Sequence, residues 1–202
     1  MVARHNRVKF SCNNSNFVTT KLTISGYNFD TAAATVALDS LKSSSIINMK
    51  RPTSLFELPN GIVIFSYYSR CLLYLKHILY PLTYVLKSRK LKWTSIEEGS
   101  WSQAKEVCAL NLWLIIPDEE GDLVLCTGPS KVSASAVLFR VKNSKLQTVS
   151  VNSKCFAVAD MQKCFYVTET IALAYCLKQN IAYLLNRKGS VKIFTDWQFG
   201  YA

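Results

Sequence analysis

The chain has 202 residues, of which 50% are apolar and 12% aromatic. That length holds one ordinary domain or two small ones, and that apolar content excludes wholesale disorder. Lys and Arg number 24 against 13 acids, giving a net charge of +11 and a pI near 9.4. Such an excess favours a polyanionic partner, with a merely solvated basic surface as the bland alternative.

The seven cysteines are Cys12, Cys71, Cys108, Cys126, Cys155, Cys164 and Cys176. None forms a C-x-x-C pair, and neither His5 nor His77 stands at a zinc-ligand spacing from one, so no zinc site is expected. An odd count without a secretory signal reads as reduced thiols in an intracellular protein, cytoplasmic or nuclear. The stretch from Gly61 to Leu86 is rich in apolar residues, but Arg70, Lys76, His77 and Pro81 interrupt it. It reads as buried helix rather than a membrane span.

In chain order, residues 1–45 are rich in Ser, Thr and Asn, with a short strand at 21–25 and a turn around Gly26 and Asn28. Pro52, behind the basic pair Lys50 and Arg51, opens a helical stretch that Pro59, Asn60 and Gly61 weaken at its centre. Helical patterning resumes from Ile62 to Leu86, broken at Pro81. Residues 88–92 form a basic connector with Arg89, Lys90 and Lys92. Thr94 and Ser95 then cap a helix over 96–110, with Glu97 and Glu98 near its positive end. Three strands follow at 122–127, 132–140 and 146–151, with turns at 128–130 and 142–144. A helix over 162–185, a loop at 186–189 and a strand over 190–195 complete an α/β pattern, a mixed sheet covered by helix.

Several blocks resemble a known family. Pro52-Thr53, Glu57-Leu58 and Tyr67-Tyr68-Ser69-Arg70 look like P-T-x-x-x-E-L and N-Y-Y-R-R-F in the thumb of gypsy-class reverse transcriptases. Pro81-Leu82-Thr83, Leu86-Lys87 and Lys92-Trp93-Thr94 continue that pattern. Pro117-Asp118, Ala136-Val137-Leu138, Ser153-Lys154, Thr168-Glu169-Thr170-Ile171-Ala172-Leu173 and Ile193-Phe194-Thr195-Asp196 are similar to successive blocks of retroviral and retrotransposon RNase H. The matches run in order over residues 47–196. The chain thus resembles a fragment of an LTR-retrotransposon or retroviral Pol polyprotein. The resemblance implies a palm remnant at 1–46, a mainly helical thumb-like or connection region at 47–92 and a C-terminally truncated RNase H-like domain at 93–202. It also implies that the fourth strand lies beside the first and parallel to it. No Y-x-D-D motif occurs, so polymerisation by this chain is excluded.

RNase H-like nucleases cut RNA in RNA–DNA hybrids with two Mg²⁺ ions, which several carboxylates hold. The resemblance assigns Glu169 to the helix carboxylate and Asp196 to the fourth-strand carboxylate, as catalytic and metal-binding residues. Glu169 also stands out by itself: it is the one acid between Met161 and Thr195, and its helical neighbours Ala172, Leu173 and Cys176 are apolar. The plainer readings are a helix-N-terminal Glu favoured by the macrodipole and an Asp capping a strand end. Gly128 occupies the position of the family's first-strand Asp. Asp122 is no substitute, lying roughly 20 Å away along a strand at about 3.3 Å per residue. The fourth acid has no counterpart in the sequence, so the resemblance implies that catalysis is lost.

Three readings remain open. One is a hybrid-cleaving nuclease with Mg²⁺. Another is a non-catalytic remnant that binds an RNA–DNA hybrid or other nucleic acid through Lys50, Arg51, Lys87, Arg89, Lys90, Lys92, Arg187 and Lys188, each of which has solvated surface as its alternative. The third is an interaction module that pairs with other Pol parts or a partner strand at an exposed sheet edge.

Overall fold

A computed structural model describes residues 18–90, 92–110, 112–118, 121–185 and 188–195. The chain begins with β1 (Lys21–Ile24), β2 (Tyr27–Asp30) and β3 (Thr35–Leu38) as an antiparallel meander. Ser25 and Gly26, both at positive φ, make the two-residue turn between β1 and β2, so Asn28 falls inside β2. A later two-residue strand, β4 (Leu114–Ile115), pairs with β3 and completes the first sheet.

Helices α1 (Ser40–Ile47), α2 (Leu58–Tyr67), α3 (Leu75–Ile78), α4 (Tyr80–Ser88) and α5 (Ser95–Ala109) lie between β3 and β4. Their apolar faces meet in one core that includes Leu38, Phe65, Leu82, Trp101 and Cys108. Helix α5 starts with a capping box, in which the Thr94 hydroxyl and Glu97 carboxylate satisfy each other's backbone groups.

Local helix boundaries differ from the expected ones. Pro52 does not open a helix. The first helical residue is Leu58, and Pro59 stands in the first turn rather than weakening a centre, where its missing N–H has no partner to lose. Pro81 opens α4 in the same way. The break falls instead at 68–74, through a 3-10 turn at Ser69–Cys71 and a left-handed Tyr74. No proline or glycine marks it. Burial of Cys71, Leu72 and Leu75 in the core redirects the chain there.

The second sheet is built from β5 (Leu123–Pro129), β6 (Ser133–Lys142), β7 (Lys145–Cys155) and β8 (Val191–Phe194), in the order β7-β6-β5-β8. Strands β5 to β7 form an antiparallel meander, and β8 runs parallel to β5 with Leu123 opposite Val191 and Cys126 opposite Phe194. Both the meander and the parallel fourth strand agree with expectation. The turn at Asn143–Ser144 uses two left-handed residues. The turn expected at 128–130 is displaced: Gly128 and Pro129 still pair within β5. The helix expected over 162–185 is α7 (Phe165–Leu184), which starts after the extended Cys164, and a short helix, α6 (Val158–Met161), precedes the expected range. Helix α7 covers one face of the sheet, and Leu125, Leu138 and Cys176 meet beneath it. No helix among the described residues is long and apolar enough to cross a membrane.

Polar contacts tie the two parts together. The Lys76 N–H donates to Ser153 Oγ at 3.2 Å, and the Cys155 thiol donates to the Lys76 carbonyl at 3.4 Å. Buried Arg140 pairs with Asp118 at 2.8 Å, fixing the segment that leads into β5.

One glycine is set by packing. A Cβ at Gly61 would lie 2.6 Å from the buried Trp101 ring. Alanine gains about 1 kcal/mol of helix propensity, but overpacking a core costs about 1–3 kcal/mol. Gly61→Ala should therefore lower the urea midpoint, and a raised midpoint would refute this packing.

Candidate nucleic-acid interface

The side chains of β5 alternate between two environments. Leu123, Leu125 and Thr127 are buried, and the Thr127 hydroxyl donates to Cys176 Sγ at 3.2 Å, so this set faces α7. Glu169, in the second turn of the same helix, is 1% exposed. Burial pushes the Cys176 thiol up, the Thr127 contact lowers it in part, and the Glu169 charge raises it further. Thr127, Cys176 and Glu169 thus form a buried polar strip between β5 and α7.

Gly128 pairs with Ser135 near the end of β5. It lines a cleft of about 660 Å³ together with Ser130, Ser133, Phe194, Thr195 and His77. The ends of β5 and β8 therefore share one opening, with α3 contributing to its rim. Ser130 builds the turn at this rim. Its hydroxyl accepts the Ser133 N–H at 3.0 Å and lies 3.1 Å from His77 Nδ1.

Glu169 lies in the helix facing the sheet, and Gly128 lies at the cleft. Asp196, and with it the separation of the two carboxylates, falls outside the described residues. Among the described residues, no three His, Cys, Asp or Glu side chains form a group that could hold a metal ion. Gly128 offers no donor, so these residues alone do not fit a Mg²⁺ pair.

The basic residues divide between locations. Lys50 and Arg51 line a separate cleft of about 480 Å³, and Arg51 pairs with Glu98 at 3.3 Å. Arg89 caps α4 in a left-handed conformation. Lys90, Lys92 and Lys188 are exposed, and Arg187 lies outside the described residues. Lys87 is in the last turn of α4. It shares its surroundings with Lys76: burial raises the Cys155 thiol, and the charges of both lysines lower it. Lys154, beside Cys155 in β7, places its ammonium 5.5 Å from the Tyr175 ring centroid. Lys76 and Lys87 thus meet around Cys155, where the helices dock on β7, whereas Lys154, the next residue along the strand, points to the opposite face toward α7. Lys76 and Lys154 were not among the expected contacts, because neither belongs to a charge cluster in the sequence.

No family model matches the sequence, and no curated protein matches it significantly. Solved structures do. The foamy viral protease-reverse transcriptase in complex with RNA/DNA hybrid aligns with a TM-score of 0.73 at 17% identity, over 90% of this chain and 25% of that chain. The same protein in complex with dsDNA gives 0.72 at 17%, over 90% and 38%. Its dRH form in complex with ds DNA gives 0.70 at 17%, over 86% and 30%. The chain therefore spans well under half of these neighbours. The likeness shows the fold, a mixed α/β arrangement with an RNase H-like sheet.

Asp122 controls how β8 enters that sheet. Its Oδ1 accepts the Ser190 N–H at 2.9 Å and the Ser190 hydroxyl at 2.7 Å. These bonds hold its carboxyl below the usual aspartate range. A depressed carboxyl contributes stability above its unfolded pKa, roughly 4, and that contribution is lost as pH falls through the folded value. Hydrogen exchange, corrected for intrinsic rates, should show the β8 amides losing protection on acidification through that range. Asp122→Ala should remove this acid dependence. Equal acid dependence in both proteins would contradict the assignment.

Proposed function

We propose that the chain is a retroelement-derived reverse transcriptase and RNase H-like segment of gypsy-class Pol type that binds nucleic acid without cutting it. In this reading, residues 1–46 are the palm remnant, 47–92 the thumb-like region and 93–202 the RNase H-like domain. The observation that carries the binding function is the meeting of Lys76 and Lys87 around Cys155, where the helices dock on β7. A basic pair at this junction suits a backbone that passes over it, and the phosphate contacts it offers carry no sequence code. The foamy viral neighbours were solved with DNA and with RNA/DNA hybrid, and an RNA–DNA hybrid is the partner we assign here.

Cleavage is lost in this reading because Gly128 stands where the family has its first carboxylate. Glu169 keeps the helix position and Asp196 the fourth-strand position, but two acids do not hold two Mg²⁺ ions. A second reading draws on β8. It is the outer strand of the second sheet, and Phe194 on it is 57% exposed, so a strand from another Pol part has an edge to pair with.

Two measurements test the proposal. Hybrid affinity should fall linearly on a log–log plot against salt, with little sequence preference. Replacing Lys76 and Lys87 with Gln should reduce the slope by about 0.9 for each phosphate contact removed. Salt-insensitive or strongly sequence-specific binding would overturn it. Incubated with Mg²⁺ or Mn²⁺, the unmodified chain should leave the hybrid intact. Metal-dependent cleavage that Glu169→Gln abolishes would show that the catalytic reading is the correct one.

A further inference from the structure

A second cleft, of about 440 Å³, opens where the first sheet meets the RNase H-like domain. It is separate from the lysine pair and from the cleft at Gly128. Four aromatic rings line it: Tyr27 and Phe29 from β2, Tyr67 from the end of α2 and Tyr183 from α7. Arg70 joins them, and among the described residues no carboxylate lines the cleft.

The aromatic wall is held in place. The Tyr27 hydroxyl donates to the Tyr67 carbonyl at 2.9 Å. The two ring centroids are 6.2 Å apart, and Tyr27 also packs against Tyr68 at 5.4 Å. Burial pushes the Tyr27 hydroxyl up to about 12, against a lowering by the positive charge of Arg70. The guanidinium therefore sits beside these rings. Arg70 is exposed and makes no ion pair with any described acid. An exposed cation beside fixed π-faces, without an ion pair among the described residues, is a combination that core packing does not require.

We infer that this cleft binds a nucleobase carrying a phosphate, with the base stacked among Tyr27, Tyr67 and Tyr183 and the phosphate held by Arg70. Flat ring walls select a planar partner. A guanidinium selects an anion and matches phosphate through paired N–H donors. The volume lies in the range of small-ligand pockets and admits a single nucleotide. The same chemistry is offered by a free nucleotide and by the phosphorylated end of a single strand.

Calorimetric titration of the whole chain with adenosine 5′-monophosphate, adenosine and a 5′-phosphorylated trinucleotide tests the site. At least one phosphorylated probe should bind saturably, and adenosine should bind at least about tenfold weaker. Tighter binding of the trinucleotide would assign the strand end, and tighter binding of the monophosphate would assign the free nucleotide. Arg70→Gln and Tyr183→Ala should each weaken the phosphorylated probe by about tenfold or more, whereas Tyr183→Phe keeps the ring and should retain binding. Hybrid affinity, which in the proposal depends on Lys76 and Lys87, should stay unchanged in the Arg70 and Tyr183 variants, so failure here is distinct from failure of the hybrid-binding proposal. The inference is overturned if neither phosphorylated probe saturates. It is equally overturned if Arg70→Gln leaves their affinities unaltered.

Discussion

The parallel pairing of β8 with β5 is the contact on which the rest of the second domain depends. It joins residues far apart in the chain, Leu123 with Val191 and Cys126 with Phe194, and it requires a crossover that α7 supplies. A parallel strand cannot follow its neighbour through a tight turn, so α7 must lie across the sheet. There it buries Cys176 against Leu125 and Leu138 and carries Glu169 into the interior. The same pairing brings Thr195 to the cleft that Gly128 lines. Asp122 closes the start of the pairing through Ser190.

A second constraint joins the helical part to this sheet. Helix α3 is a single turn, and its Lys76 backbone exchanges hydrogen bonds with Ser153 and Cys155 on β7. That contact sets His77 beside Ser130 and Lys76 beside Lys87 near Cys155. Ile115 extends the join from the other side, since β4 pairs with the first sheet while Ile115 packs against the core under α7. The lysine pair is therefore brought together by two short helices packed at β7, and no single element carries it.

These origins decide what could be read from the sequence. β5 was legible because alternation marks one buried face, as in Leu123, Leu125 and Thr127, and β6, buried continuously over Ser133–Leu138, was marked instead by the turn residues at both its ends. The parallel placement of β8 came from family resemblance, since periodicity says nothing about which strand lies beside which. β2 escaped notice because Asn28, one of its residues, reads as a turn former, and the two-residue β4 has too little pattern and acquires its partner only through β3. Pro59 and Pro81 were misread as interruptions, because a proline looks alike in a first turn and in a helix centre until the start is known. The burial of Glu169 among apolar helix neighbours could be anticipated from the sequence, where it is an isolated acid. The meeting of Lys76 with Lys87 could not, since it is made by the packing of α3 and α4 at β7.

The central claim is that the fold persists with a carboxylate set too small for paired metal ions. Its direct test is a Mn²⁺ titration of the unmodified chain and of Gly128→Asp, followed by electron paramagnetic resonance. The account predicts no spin-coupled Mn²⁺ pair in the unmodified chain and a measurable gain in Mn²⁺ affinity on restoring the aspartate. A coupled pair in the unmodified chain, or no gain from Gly128→Asp in a protein that remains folded, would contradict it.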